Sequence, residues 1–554
     1  MLDAIVVGSG HNALVAACYL AREGWSVEVF ERDTVPGGAV STVERFPGHL
    51  VDRGSSAHLM IRQSGIIEEL GLADHGLSYI DCDPWAFAPA PPESPDRPGI
   101  VFQTDLPATC ASIEAACGAR DADAYRRFVT EWAPLARSVM RAFARPPGAA
   151  GLSRAFGPLG MPAFLGGGHP PAALARRFLS TGDALLDYYF DDEPLKAALA
   201  WFGAQSGPPM SEPGTAPMVG FAALMHRMPP GRAVGGSGAL TTALAARLRA
   251  DGGTLTTGDA VTALRRTDCG WAATTEHGRT VRARTAIAGC HILTTVDLLT
   301  EGGALPESAA AELRRGIRVG PGIGMAVRLA TDSLPAYPSA PDDRPGPGVH
   351  AGLQLLVSDR AHLRTGHAAA LAGRLPPRPA ALAMTFSALD ASLCPEGRHQ
   401  MTLWSQWHPY RIADGTRWED VAEREADRVV DEIEQYAPGT RETVTDRYVQ
   451  SPLGLERELG LVGGNIMHIE MSLDQMLAFR PTPGLAGQRM SGISPAPGRD
   501  DPLAGLYLTG ASTHPGGGVS GYSGRSAARL ALRDARAGGL RRLLPAARGR
   551  TRRA

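Results

Sequence analysis

The order of elements across residues 1–31 narrows the fold more than any other feature of the chain. Asp3-Ala4-Ile5-Val6-Val7 reads as a short buried strand, Gly8-Ser9-Gly10-His11-Asn12-Ala13 follows at once, and an apolar helical run from Leu14 to Glu23 stops at Gly24. Ser26-Val27-Glu28-Val29-Phe30 is a second strand with Glu31 at its tip. Strand, glycine turn, helix, strand, acid is the fingerprint of a dinucleotide-binding α/β unit. Gly8 permits the tight turn, Gly10 lets backbone approach a pyrophosphate, and Ala13 is small enough for close helix–strand packing. The helix N-terminus offers free N–H groups and a partial positive charge to phosphates. Glu31 accepts hydrogen bonds from a ribose diol and disfavours a 2′-phosphate, so NADP fits worst. Asn12 and Arg32 complete the contacts expected at this end.

Two further glycine clusters belong with the first. Gly37, Gly38 and Ala39 follow Glu31 at short distance, where bare backbone again suits a cofactor. The run Gly510-Ala511-Ser512-Thr513-His514-Pro515-Gly516-Gly517-Gly518-Val519 follows the strand Leu506-Tyr507-Leu508-Thr509 and precedes a helix expected over 520–537. A helix N-terminus there would face the electron-rich edge of a flavin and stabilise its anionic reduced form. Three glycines and Pro515 keep side chains away from a flat ring. Together the clusters point to FAD.

Between them the chain alternates. Residues 84–98 are proline-rich and read as an irregular excursion, 106–145 as helix, and 146–171 as a Gly/Pro-rich loop ending in Gly166-Gly167-Gly168. Residues 232–290 return to α/β order, with a helix through Arg249 and strands at 254–257, 261–264 and 281–288. Residues 300–480 mix strands with one clear helix, Trp418 to Tyr436. The expected organisation is a discontinuous FAD-binding domain from 1–83, 231–300 and 481–540, a substrate domain from 84–230 and 301–480, and a basic, disordered tail at 541–554.

Composition excludes several classes. A net charge of −2 gives no nucleic-acid footprint. The seven cysteines show no CxxC or CxxxxC spacing, so neither a redox disulfide nor a structural zinc site is expected, and no metal site is predicted. No apolar run is long enough to span a bilayer, and the N-terminus is itself the cofactor strand, so no leader and a cytoplasmic location are expected. The basic C-terminal stretch suits peripheral contact with anionic lipid, although most such tails are simply solvated.

The motifs at 5–13, 31–39, 51–56 (Val51-Asp52-Arg53-Gly54-Ser55-Ser56), 231–240 and 506–525 resemble the phytoene desaturase-like branch of the flavin amine oxidase superfamily. Gly464-Asn465-Ile466-Met467-His468-Ile469-Glu470 and Arg480-Pro481 are similar to the segment before its C-terminal motif, and the subgroup of pyridine nucleotide-disulfide oxidoreductase domain-containing proteins is the nearest in look. The resemblance implies an α/β fold with a Rossmann-type FAD-binding domain, glutathione reductase-like in its two-domain plan, and an interleaved α+β substrate domain. It implies non-covalent FAD and a hydrophobic substrate that is desaturated or dehydrogenated. Gly8, Gly10, Glu31, Gly38 and Ala39 would line the adenosine diphosphate, Val261 would hold the adenine through backbone, and Gly510, Gly517, Gly518 and Val519 would meet the flavin. Many relatives carry arginine where this chain has Ala39, and the resemblance is weak across 84–230 and 330–400.

For catalysis the candidates are Thr513 and His514 beside the expected flavin ring, His514 as base or orienting group, or as a structural histidine. His58 reads as structural, His468 and Glu470 as a pair two residues apart, and Trp404 and Trp407 as core. The electron acceptor is open among oxygen, a quinone and a carrier protein. An amine or amino-acid oxidase is the first alternative; such enzymes usually keep a lysine near flavin N5, and the sole lysine, Lys196, lies far from the motifs. A redox-neutral isomerase or saturase and a non-enzymatic scaffold are the others.

Overall fold

The computed structural model describes residues 1–164, 171–320, 323–341, 346–493 and 501–543. The triple glycine at 166–168 and residues 544–554 of the expected tail lie outside them, while its first three residues, 541–543, end the helix Tyr522–Leu543 and so are not the disordered start expected.

Two seven-stranded sheets organise the chain. In the first, Leu2–Val7 lies between Val27–Glu31 and Thr280–Ala288, parallel to both. Thr254–Thr257 extends one side, while Leu506–Leu508 and the antiparallel hairpin Val261–Thr267/Gly270–Thr275 extend the other. Val7 pairs with both Phe30 and Ala288, and Ala288 pairs with Leu508, so four parallel strands end level. That shared carboxyl edge is where ligands bind in open α/β sheets. His11–Arg22, Ala239–Ala250 and Tyr522–Leu543 cover one face. The first helix buries Asn12 through Ala21, and its small residues let neighbours approach closely.

The second sheet runs in the order Val444–Gln450, Gly324–Thr331, His399–Gln406, Ala381–Met384, Leu353–Leu356, Ala86–Ala88, Ile100–Phe102. Its pairings are antiparallel except that of Leu353–Leu356 with Ala86–Ala88. Successive residues face opposite sides. Met325, Val327, Leu329, Met401 and Leu403 pack under the helix Trp418–Tyr436, which buries Val421, Ala426, Val429 and Ile433 at helical spacing. The other face turns toward the first sheet's carboxyl edge. Above it stand helices from 106–220, with Tyr125, Phe128, Trp132 and Trp201 in their core. Trp201 Nε1 donates to the Ala381 carbonyl at 2.9 Å and ties that layer to the sheet.

Three local expectations are corrected. The proline-rich excursion contains the strand Ala86–Ala88, because its prolines flank the strand and leave its ladder intact. The stretch 146–171 was expected as loop, yet Ala149–Phe164 is helix: packing on Ala119–Phe143 overrides its glycines and prolines, with Ala155 fully buried and its carbonyl taken by Arg141 Nε at 3.2 Å. Residues 300–480 hold further helices, Glu307–Gly316, Arg360–Leu371 and Pro452–Leu459.

Candidate functional site

A cavity of about 550 Å³ runs from the first sheet's carboxyl edge to the inner face of the second sheet. Every cofactor residue predicted above lines it except Gly517: Gly8, Gly10, Asn12, Ala13, Glu31, Arg32, Gly37, Gly38, Ala39, Val261, Gly510, Ala511, Gly518 and Val519. Gly8 has φ +87°, a conformation that favours glycine. A Cβ on Gly10 would meet nothing within 4 Å, so this backbone is open to a ligand. A Cβ on Gly289 would lie 2.5 Å from that of Ala13, which is the close helix–strand packing expected of the third position.

Ser9, which the sequence reading passed over, fixes this end. Its N–H and hydroxyl donate to Glu31 Oε2 at 2.8 and 2.7 Å, and its oxygen accepts from the Gly37 N–H at 3.1 Å. The acid, the first turn and the second glycine pair therefore move as one. Glu31 Oε1 accepts from the Asp33 N–H at 3.0 Å. Asn12 Oδ1 is buried at the head of the helix with no partner among the described residues, an acceptor left for a ligand's donor. These features fit a dinucleotide.

Asp52 binds the 51–56 and 231–240 motifs together. Its carboxylate pairs with Arg232 and accepts from the Ser237 N–H at 2.9 Å and the Thr42 hydroxyl at 2.7 Å. His58 sits beside it, its ring nitrogens 2.8 Å from the Tyr79 hydroxyl and 2.9 Å from Ser237 Oγ. Burial pushes its pKa down to about 3, as a neutral structural histidine requires.

At the other end the proposed catalytic pair is displaced. Neither Thr513 nor His514 lines the cavity. The Thr513 hydroxyl bonds the Gly510 carbonyl at 2.9 Å and Ser523 Oγ at 2.6 Å. His514 turns away: Nε2 donates to the Ala142 carbonyl at 3.1 Å and the ring packs edge-on against Phe143. Burial holds its pKa near 4. Gly517 packs behind the wall on Met467.

The histidines that do line the cavity are His11, His291 and His468. His468 has φ +66°, stacks on His291 with ring centroids 5.1 Å apart, and brings Nδ1 to 3.0 Å from Ser512 Oγ. Burial pushes its pKa well below the ordinary histidine value, so it is neutral at pH 7. Glu470 is not its partner; that carboxylate pairs with Arg318 at 2.9 Å, outside the cavity. Cys290 also lines the wall, and burial pushes its thiol up to about 11, so it carries no thiolate at neutral pH. All seven cysteines are free.

The floor is the second sheet. Arg328, Thr402, Met384 and Leu353 stand opposite one another across four strands as one lane. Trp404 and Leu382 form the next. Trp404, expected as core, is thus part of the wall, while Trp407 is core, with Nε1 donating to the Gly207 carbonyl at 3.2 Å.

A strand-edge dinucleotide cradle opening onto a second, mostly antiparallel sheet is a two-domain, Rossmann-type dinucleotide-binding architecture. Known proteins agree. The profile of NAD(P)-binding Rossmann-like domains matches residues 6–70. Rat pyridine nucleotide-disulfide oxidoreductase domain-containing protein 2 is 32% identical over 96% of this chain and 93% of its own length. Lycopene-forming phytoene desaturase of Pantoea ananas is 28% identical over 26% of each chain. A redesigned putrescine oxidase shares the fold at 13% identity, with a TM-score of 0.60 over 96% of this chain and 98% of its own. The chain belongs to the pyridine nucleotide-disulfide oxidoreductase domain-containing protein 2 family.

Among the described residues no helix is long and apolar enough to cross a membrane.

Proposed function

We propose that this chain binds FAD non-covalently and oxidises a hydrophobic substrate by dehydrogenation or desaturation, passing the electrons on to oxygen, a quinone or a carrier protein. The observation that carries the reading is one continuous cavity, walled by cofactor-type backbone at one end and by apolar side chains at the other. Bound FAD would supply the hydride acceptor. The rest falls to the protein. The turn from Gly8 to Gly10 and the helix behind it hold the pyrophosphate, and Glu31 accepts from the ribose. Trp85, Phe202, Leu382 and Met384 exclude water from the reacting bond. His468, neutral and lining the cavity, takes the role first given to His514: it holds or accepts the substrate proton, with Ser512 fixing its ring.

An amine oxidase shares the fold but is less well supported. Lys196 pairs with Asp187 at 3.2 Å and Glu193 at 3.4 Å, away from the cavity.

The test is the absorption spectrum of the purified protein. Yellow protein that releases FAD on heating and bleaches with anaerobic dithionite is expected; colourless protein that takes up no added FAD overturns the reading. Two variants refine it. Glu31→Ala removes a charged acceptor from Ser9 and from the ribose, and weakens FAD binding by about 10- to 100-fold in titrations of apoprotein. His468→Gln keeps FAD content and lowers the rate of substrate-dependent flavin bleaching by about 100-fold, the ordinary contribution of a positioned base. An unchanged rate would remove His468 from the chemistry.

A further inference from the structure

Among the described residues Arg328 is the one charged group on the cavity floor. It is 3% exposed and stands in the middle of Gly324–Thr331. Its Nη1 donates to Thr402 Oγ1 at 3.1 Å, and its Nη2 donates to the Arg53 carbonyl at 3.0 Å and Gln450 Oε1 at 3.4 Å. All three acceptors are neutral.

The neighbouring acids are already spent. Asp52 pairs with Arg232. Asp33 lies 2.7 Å from Arg53. Glu458 takes Arg53 at 3.0 Å and Arg45 at 2.5 Å, and its second oxygen accepts from Tyr448 and Gln450. Among the described residues four guanidiniums therefore face three carboxylates, and Arg328 is the one with no carboxylate in direct contact; Asp52 and Glu458 act on it only at longer range. Burial lowers its pKa only to about 10, so it stays protonated at pH 7. A buried cation without a carboxylate is costly unless something pairs with it. Among the described residues the only carboxylate lining the cavity is Glu31, held by Ser9 at the dinucleotide end.

The lane beside Arg328 is apolar. Met384 and Leu353 continue it across the sheet, with Trp404, Leu382 and Phe386 alongside. A cation at one end of a hydrocarbon-lined floor matches an amphipathic monoanion. A single guanidinium with one hydroxyl suits one carboxylate.

Resting on the oxidoreductase reading above, we propose that the substrate is a hydrophobic carboxylic acid, its carboxylate held by Arg328 beside Thr402 and its hydrocarbon laid along Met384, Leu353 and Trp404. The same charge repels an alkylammonium, which sets this site apart from that of an amine oxidase.

The experiment titrates FAD-loaded protein with decanoate, 4-phenylbutyrate, their methyl esters and decylamine, following tryptophan fluorescence and the flavin absorption band. The acids are expected to bind about 10- to 100-fold more tightly than their esters and than the amine. Arg328→Gln should abolish that preference, and Arg328→Lys should keep part of it. Equal binding of acid and ester by the unaltered protein, no binding of either acid, or an intact preference in Arg328→Gln overturns the proposal. The wild-type comparison decides the matter even where a variant does not fold. If the protein takes up no FAD, the oxidoreductase reading fails separately, and the tryptophan signal of the apoprotein still reads the preference for acids.

Discussion

Replacing Arg480 by methionine is expected to cost more stability than any other single substitution near the site. Arg480 is fully buried and, among the described residues, has no carboxylate partner. Instead its guanidinium donates to five carbonyls: Ala511 from Nε at 2.9 Å and Nη2 at 2.6 Å, Glu470 at 2.9 Å, Gln475 at 3.1 Å, Met467 at 2.7 Å and Ile469 at 3.4 Å. Those carbonyls belong to a segment with little regular structure to bond them otherwise. Each one left buried without a donor costs about 1–3 kcal/mol. Losing most of them costs on the order of 5 kcal/mol, a large share of the 5–15 kcal/mol that ordinarily separates folded from unfolded. The functional consequence is local. Met467 and His468 on one side of the clamp, and Ala511 on the other, all line the cavity. Arg480→Met should therefore show a strongly lowered midpoint in denaturant and reduced flavin content together. Arg480→Lys, which keeps the charge but loses the fork, should fall between. A variant that unfolds within about 1 kcal/mol of wild type would show that the carbonyls find other donors, and the clamp would lose its role.

The dinucleotide end was legible because its logic is local. A strand, a glycine turn and a helix are adjacent in sequence, and Glu31 follows within one more strand. Even so, Ser9 was invisible: the residue between the two glycines carries no pattern, and its bonds to Glu31 and Gly37 appear only once Val7 and Phe30 end level. His514 shows the opposite failure. It stands three residues from the cavity-lining Ala511, but adjacency says nothing of side-chain direction. The ring is claimed by the carbonyl of Ala142, which reaches it from the helical layer.

The substrate end was not legible, for a reason of register. Arg328, Leu353, Met384 and Thr402 lie on four strands drawn from well-separated positions, and they meet only because Arg328 pairs with Thr402, Thr402 with Met384, and Met384 with Leu353. A shift of one residue in any pairing would turn that strand's side chains to the helix-covered face. The composition of Gly324–Thr331 does single out Arg328: it is the only charge in a strand that is buried throughout and apolar but for its last residue, Thr331. A lone arginine in a buried strand is thus the one signal that could have led to this half of the site.

Acidification is expected to unfold the chain between pH 6.5 and 5, well above the range in which carboxylates titrate. His58, His291 and His514 are each 5% exposed or less. Burial lowers their folded pKa to about 3, 4 and 4, from 6.5. The sign follows from proton counting. Below pH 6.5 the unfolded chain binds a proton at each ring, and the folded chain binds none until pH 4 or lower. Folding stability is therefore intact above 6.5 and is lost as pH falls. Each ring contributes about 1.4 kcal/mol per pH unit in that window, so three contribute about 4 kcal/mol per unit. One to two units exhaust an ordinary stability. The rings also sit at joints of the site: His58 couples Tyr79 to Ser237, His291 Nε2 lies 2.9 Å from the His468 carbonyl, and His514 bonds Ala142. Protonation thus opens the cavity as it unfolds the chain, and flavin release should track the loss of structure. Denaturant melts from pH 7.5 to 5 measure the slope. His58→Gln, which keeps a donor and an acceptor without a titrating proton, should reduce that slope by about one ring's share. Stability that stays flat from pH 7 to 5 would mean that the three rings reach water when they charge, and that none of them is a fixed strut of the site.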